Sequence, residues 1–344
     1  MDSTITLFLV QDGLINGSIY ALLAVAFVLL FAVTRIIFVA QGDFVAYGGL
    51  TFAALQQGSV PGSIWLLAGL GVIAGILEFL RERHTLTRPR ILGILAGDFI
   101  APLALVGVVI LVAPYDMPYL FDMALALALV VPMGPYIYRI CFRPMANASV
   151  LVLLIGSVGV HWLMIGLGLL FFGAEGYRAA PMFGANFVVG PVLVSAQSLL
   201  VMGATLALLV GFYLFFGRTL AGKALMAAAV NARGASLVGI SPSFSGRTAF
   251  LMAAFVGAIS GILISPLTTL YYDSGFLIGL KGFVAAIVAG FASFPLAVAG
   301  AIAIGIAEAV SAFFASAFKE VIVFSLILPV LIWRSIRAPH HEED

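Results

Sequence analysis

Residues 13–57 read GLINGSIYALLAVAFVLLFAVTRIIFVAQGDFVAYGGLTFAALQQ. The run from 13 to 34 carries no charge and has the length, about 20 residues, that a helix needs to cross a bilayer. Arg35 closes it, and a second apolar run, 36–57, follows with almost no loop. That second run holds Asp43 together with Gly42, Gly48 and Gly49. A carboxylate and a glycine cluster do not suit an uninterrupted helix in lipid; they suit a broken one buried in protein or facing a cavity. The expectation is a long spanning helix followed by a discontinuous one.

The rest of the chain extends this reading. With 63% hydrophobic and 9% charged residues and a mean hydropathy of +1.20, it stands far from a soluble domain, in which about 25% of residues are charged. Strict apolar–polar alternation is absent, which argues against an outer-membrane barrel. The predicted fold is all-α, a polytopic transmembrane helical bundle of about 8 to 11 segments that include broken or half-length helices. Candidate spans fall near 13–34, 36–57, 63–80, 92–113, 120–139, 148–172, 195–216, 248–270, 279–293, 296–316 and 319–333. The run 279–293, GLKGFVAAIVAGFAS, is short and precedes Pro295, so it is the second candidate for a broken helix. A faint likeness between GDFVAYGG at 42–49 and KGFVAAIVAG at 281–290 points to an internal repeat. The chain reads as one transmembrane domain over 1–344, in which 62–120 forms an extra helical pair.

Charge matters by where it sits. The net charge is +1, so no global field attracts nucleic acid. Lys and Arg gather at Arg35, at Arg81, Arg83, Arg88 and Arg90, at Arg139 and Arg143, between 217 and 248, and at Arg334 and Arg337. If the spans alternate, all of these fall on one side; the positive-inside rule then puts the N-terminus outside and the C-terminus in the cytoplasm. Lys281 and Lys319 are exceptions on outer-side connections. The first residues lack the basic start of a signal peptide, so the first apolar run is expected to stay in the protein. One cysteine, Cys141, excludes an intrachain disulfide and a multi-cysteine metal site.

Residues 217–248, GRTLAGKALMAAAVNARGASLVGISPSFSGRT, form the long polar interval of the second half. The composition from Thr219 to about Asn231 predicts a short helix outside the membrane, with Ser241-Pro242 as a stop. On the other side, 173–194 is a Gly-, Pro- and Ala-rich loop too small for a catalytic domain.

Asp43, Asp98 and Glu308 are ionisable groups inside spans. Two readings stand for Asp43: capping a broken helix, or lining a path. Glu308 follows a small-residue stripe, Ala297, Ala301, Gly305 and Ala309, that admits a close helix neighbour, so it is expected to face the bundle. A structural hydrogen bond and a path-lining role both remain open for it. Asp98 is expected to snorkel or pair near the inner interface. His161 reads as a packed, hydrogen-bonded residue, and no partner stands at ligand spacing, so no metal or haem is expected. There is no G-x-x-x-x-G-K-[ST] and no G-x-S-x-G run, so the chain offers neither a P-loop nor a nucleophile elbow.

Several blocks together resemble one family. GKALMAAAVNARGASLVGI at 222–240 is similar to the coupling loop of permeases of branched-chain amino acid type ABC importers, where G-[RK]-A-L-R-A-x-A-x-N-x-E-A-A-x-L-x-G-[IV] is usual. NGSIYALLAVAF at 16–27, RIIFVAQGD at 35–43, YRICFRPMANASVLVLLIGSVGV at 138–160, FFGAEGYRAAP at 171–181 and the stretch 275–308 agree with it as well. Three departures stand out. Arg233 replaces the usual acid and Gly234 follows it, Gln41 replaces a usual histidine, and the pair at 62–120 is atypical.

The resemblance implies a non-enzymatic translocation subunit in a bacterial inner membrane. It implies a second permease, like or unlike, two cytoplasmic ATPases that bind the ATP, and an external substrate-binding protein as partners. No cofactor and no metal are implied for this chain. Branched-chain amino acids, urea and short amides are the implied substrates. Gln41, Gly42, Asp43 and Glu308 are then candidates for path or gate, and Arg218, Gly222, Lys223, Asn231, Arg233 and Gly239 for coupling to the ATPases. An ion-coupled carrier or channel and a structural subunit of a membrane enzyme complex are the alternatives that the residues leave open.

Overall fold

The computed structural model describes residues 3–82, 88–146, 148–189 and 192–337. Helix α1 (Ser3–Thr34) is the long helix expected from the opening stretch. A 3-10 turn (Val39–Gly42) leads into α2 (Asp43–Gln56), so the second run breaks at Gly42–Asp43. Then come α3 (Ser63–Glu82), α4 (Ile91–Val112), α5 (Tyr119–Met145) and α6 (Val150–Phe172). A hairpin of β1 (Asn186–Val189) and β2 (Val192–Ser195) precedes α7 (Ala196–Arg218). Two short helices, α8 (Leu220–Val230) and α9 (Ala232–Leu237), precede α10 (Pro242–Ile264). The chain closes with α11 (Ser274–Val288), α12 (Phe294–Phe314), α13 (Lys319–Ser325) and α14 (Ile327–Arg337). Among the described residues, eight of these helices are long and apolar enough to cross a membrane: α1, α3 to α7, α10 and α12.

Four expectations need correction. The run 319–333 is not one span: it breaks at Leu326 into α13 and α14. Pro242 does more than stop the preceding segment. It opens α10, because a first-turn proline loses no helical hydrogen bond, and Ser241 caps that turn. Arg218 and Arg247 therefore belong to helix ends instead of a loop. The loop 173–194 contains the β1–β2 hairpin, whose Phe- and Val-rich strands pair Phe187 with Val194. Finally, α11 starts at Ser274 and not at 279, which moves Lys281 from an outer connection to two turns inside a buried helix.

α1 is central, packed against α10, α11 and α12, while α2 packs on α10. Small residues set these approaches. A Cβ on Gly305 would stand 2.3 Å from the Gly13 oxygen, so the Ala297–Ala309 stripe faces α1 as expected. A Cβ on Gly261 would stand 1.9 Å from the Val45 oxygen, which fixes α2 against α10.

The two half-helices meet at mid-depth. Gln41, just before α2, donates its side-chain amide to the oxygen of Ala253, halfway along α10. From there α2 runs toward the hairpin end, where Gln56 accepts from the Ala180 amide. α11 runs the opposite way, toward Phe291, whose ring lies 4.9 Å from that of Phe31. The units α1–α2 and α10–α11 are thus a long helix, a return to mid-depth and a half-helix, in opposed directions. Their contact is reciprocal: a Cβ on Gly42 would lie 2.1 Å from the Gly275 oxygen, and one on Gly275 2.2 Å from the Gly42 oxygen. This register matches Gly42 with Gly275, six residues before the Lys281 that stands opposite it in the sequence likeness.

The 62–120 pair is fastened to the bundle by ions. Asp98 receives both terminal nitrogens of Arg139 at 2.5 and 2.7 Å. Each residue sits on a π-helical segment, Leu95–Ile100 and Tyr138–Phe142. Glu78 of α3 meets Arg139, Arg143 and Arg247. Arg81, Arg139, Arg143 and Arg247 therefore share one end of the molecule. Arg83 lies outside the described residues.

Candidate functional site

The site grows from the break in α2. Gly42 and Asp43 start the half-helix, but the Asp43 carboxylate does not cap it. Its oxygens instead lie 3.0 and 2.8 Å from Nδ1 of His161, on α6. Both side chains are buried, and the imidazole stacks on Phe276 of α11 with ring centroids 4.6 Å apart. Tyr47, one turn on, donates its hydroxyl to the Met164 oxygen, so α6 is tied to α2 at two levels. Gln41 is fully buried; its Nε2 serves Ala253 while its Oε1 has no partner among the described residues. Buried acceptors are nearly always paired, which sets Gln41 apart among the residues at the break.

Glu308 belongs to a second cluster. Lys281 on α11 reaches it at 2.5 Å, and Tyr20 on α1 donates its hydroxyl at 2.5 Å. Lys281 also reaches Glu320 of α13 at 3.1 Å. Four helices thus share one buried polar knot. It borders a cavity of about 660 Å³ lined by Asp12, Asn16, Tyr20, Glu308 and Lys319. Gln41, Gly42 and Asp43 lie together at the break, whereas Glu308 belongs to the separate cluster with Tyr20 and Lys281. Sequence reasoning missed Lys281, Tyr20 and Glu320. The available signal was Gly275 and Gly279, one turn apart, which marks a close-packed helix start upstream of 279.

The polar interval forms a bracket between α7 and α10. Thr219 caps α8 by accepting from the Gly222 amide, and Asn231 caps α9 by accepting from the Gly234 amide. Gly222 lets α8 fold back on α7, because a Cβ there would stand 2.2 Å from the Phe215 oxygen. Gly239, with φ +91°, ends α9: the Ile240 amide returns to the Ala235 oxygen in a Schellman pattern. Gly222, Asn231 and Gly239 therefore shape the bracket. Arg218, Lys223 and Arg233 are exposed and present its charge. The bracket lies at the arginine end, where a cavity of about 430 Å³ runs between Arg35, Ser149, Ala228 and Pro242.

Half-helices that meet at mid-depth beside buried ionisable pairs, with a helical bracket outside the spans, define a membrane transport subunit. The chain belongs to the family "Branched-chain amino acid transport system / permease component", whose profile matches residues 91–331. It is 26% identical to the high-affinity branched-chain amino acid transport system permease protein BraD of Pseudomonas aeruginosa, over 81% of this chain and 92% of that one. It is 25% identical to the corresponding protein LivH of Escherichia coli K12, over 93% and 91%. Among solved structures, PsaBC from Streptococcus pneumoniae in complex with Fab aligns with a TM-score of 0.38 and 12% identity, covering 93% of this chain and 90% of that one.

Proposed function

We propose that this permease imports a branched-chain amino acid or a related small polar compound, such as urea or a short amide, driven by ATPases on separate chains. The observation that carries the reading is the α8–α9 bracket. Leu220, Val230, Leu237 and Val238 are between 77 and 89% exposed there, on a rigidly capped element outside the spans. Apolar side chains so placed call for a protein that covers them. Two cytoplasmic ATPases beneath a pair of permeases, like or unlike, would supply that cover, and an external binding protein would deliver substrate. The names of the bacterial relatives support the substrate class.

In this reading the chain is a multi-pass protein of the inner membrane, with its N-terminus outside and its C-terminus in the cytoplasm. It splits no nucleotide and needs no cofactor; the absence of a P-loop in the sequence supports this. Closure of the ATPases presses on Arg218, Lys223 and Arg233 through a bracket shaped by Gly222, Asn231 and Gly239. The push reaches α7 and α10, and through α10 the half-helix crossing. Gln41, Gly42 and Asp43 form the gate at that crossing, and Glu308 borders the path. Such a cycle needs contacts that differ between two states, not a chemical step in this chain.

Purification from the native membrane tests the reading. Recovery of a P-loop ATPase, with ATP hydrolysis stimulated by a substrate-loaded external protein, is the expected result. Uptake that follows an ion gradient in an ATPase-free complex would overturn it in favour of a carrier.

A further inference from the structure

At the end opposite the arginine cluster, a pocket of about 540 Å³ opens between α2 and the start of α5. Tyr115, Asp116, Tyr119, Asp122 and Gln57 line it, and among the described lining residues none is cationic. Asp116 is exposed and lines the same pocket as Asp122. Asp122 is only 6% exposed, yet no described side chain or amide bonds its carboxylate, whose open edge is the pocket. A place in the first turn of α5 accounts for a negative charge at this position, but leaves the hydrogen-bonding capacity of the oxygens unfilled.

We propose that this pocket binds an alkylammonium group. Two carboxylates supply charge-assisted acceptors, and two tyrosines, whose rings are of the kind that attracts a cation, stand in the same lining. An amino-acid zwitterion is a poor fit, because nothing cationic in the pocket would hold its carboxylate. The pocket therefore selects an amine that carries no carboxylate beside it, and it gives a role to the junction between the 62–120 pair and the bundle. The group can arrive on a free amine or on a lysine side chain of an external protein.

The experiment is calorimetric titration of the full chain in nanodiscs with n-butylammonium chloride and, separately, with Nα-acetyl-lysine methylamide. Saturable binding is expected, absent with sodium butyrate and weakened at least tenfold by Asp122→Asn. Tighter binding of the lysine analogue assigns the site to a protein partner; equal or weaker binding assigns it to a free amine. Should Asp122→Asn disturb folding, the exposed Asp116→Asn carries the same expectation with a normal elution profile. No binding, binding indifferent to both substitutions, or an equal Asp-dependent response to sodium or calcium chloride would overturn the proposal.

Discussion

Gly42 and Gly275 touch through their backbones, each placed where the other's Cβ would stand. The closest atom to either missing Cβ is a carbonyl oxygen of the other residue, at 2.1 and 2.2 Å. Two half-helices of opposite direction thus start against one another with no side chain between them. The mid-depth position of Gln41, Asp43 and Phe276 follows from this contact.

Substitution by alanine at Gly42 or Gly275 is therefore expected to destabilise the bundle. Overpacking a closed core costs about 1–3 kcal/mol, and an obstructing backbone oxygen moves less readily than a side chain. The Tm in nanodiscs should fall for both variants and uptake should be lost. Gly93→Ala, where a Cβ meets nothing within 4 Å, is the control that should match wild type.

Lys281 and Glu308 are a buried ion pair. Lys281→Met leaves a carboxylate with one fewer positive partner, and breaking a buried pair in this way costs about 3–5 kcal/mol. Adding Glu308→Gln removes the stranded charge while keeping an acceptor for Tyr20. Thermal melts should show the double variant closer to wild type than the single one. A double variant at least as unstable as Lys281→Met would show that the pair does not act as a unit.

The contact between Asp43 and His161 joins the half-helix to α6. Asp43→Asn and His161→Gln should each reduce uptake, and the double variant should fall short of the sum. Coupling in a cycle of this kind is about 0.5–3 kcal/mol for residues in contact. Uptake lost at unchanged Tm supports a gate, whereas a parallel loss of Tm assigns the pair to architecture.

Arg233 stands exposed on α9, where the family pattern usually has an acid. The expected partner surface is acidic, so Arg233→Glu should lower both recovery of the ATPase with the permease and substrate uptake. Because the side chain is exposed, the elution profile should not change. Full assembly and transport in this variant would remove the acidic surface and leave the importer reading standing.

Much of the architecture is legible in the residues themselves. The uncharged run to Thr34, the Gly42–Asp43 break and the Ala297–Ala309 stripe each encode a local requirement in residue type. The bracket is legible in part: composition marks the helix that ends near Asn231, whereas the short α9 that Asn231 caps is too brief to stand out in residue order. Lys281 is different: its environment is set by Glu308 and Tyr20, which lie far away in the chain on α12 and α1, so residue order misplaces it on a connection. His161 reads as packed but without a named partner, since Asp43 lies 118 positions away. The α13–α14 break and the hairpin escape notice because short apolar strings carry the same composition in strand, half-helix and span.

Residue order alone thus establishes a polytopic helical membrane protein and locates its long spans and the break at Gly42–Asp43. Those properties follow from hydrophobic length and from backbone chemistry at single residues. Three-dimensional packing adds that the two broken segments meet at Gly42 and Gly275 in opposed directions, and that Lys281 pairs with Glu308 and Asp43 with His161. Pairing depends on distances between helices remote in the chain. In an apolar bundle, these two pairs settle where helices remote in the chain bring the partners within hydrogen-bonding reach.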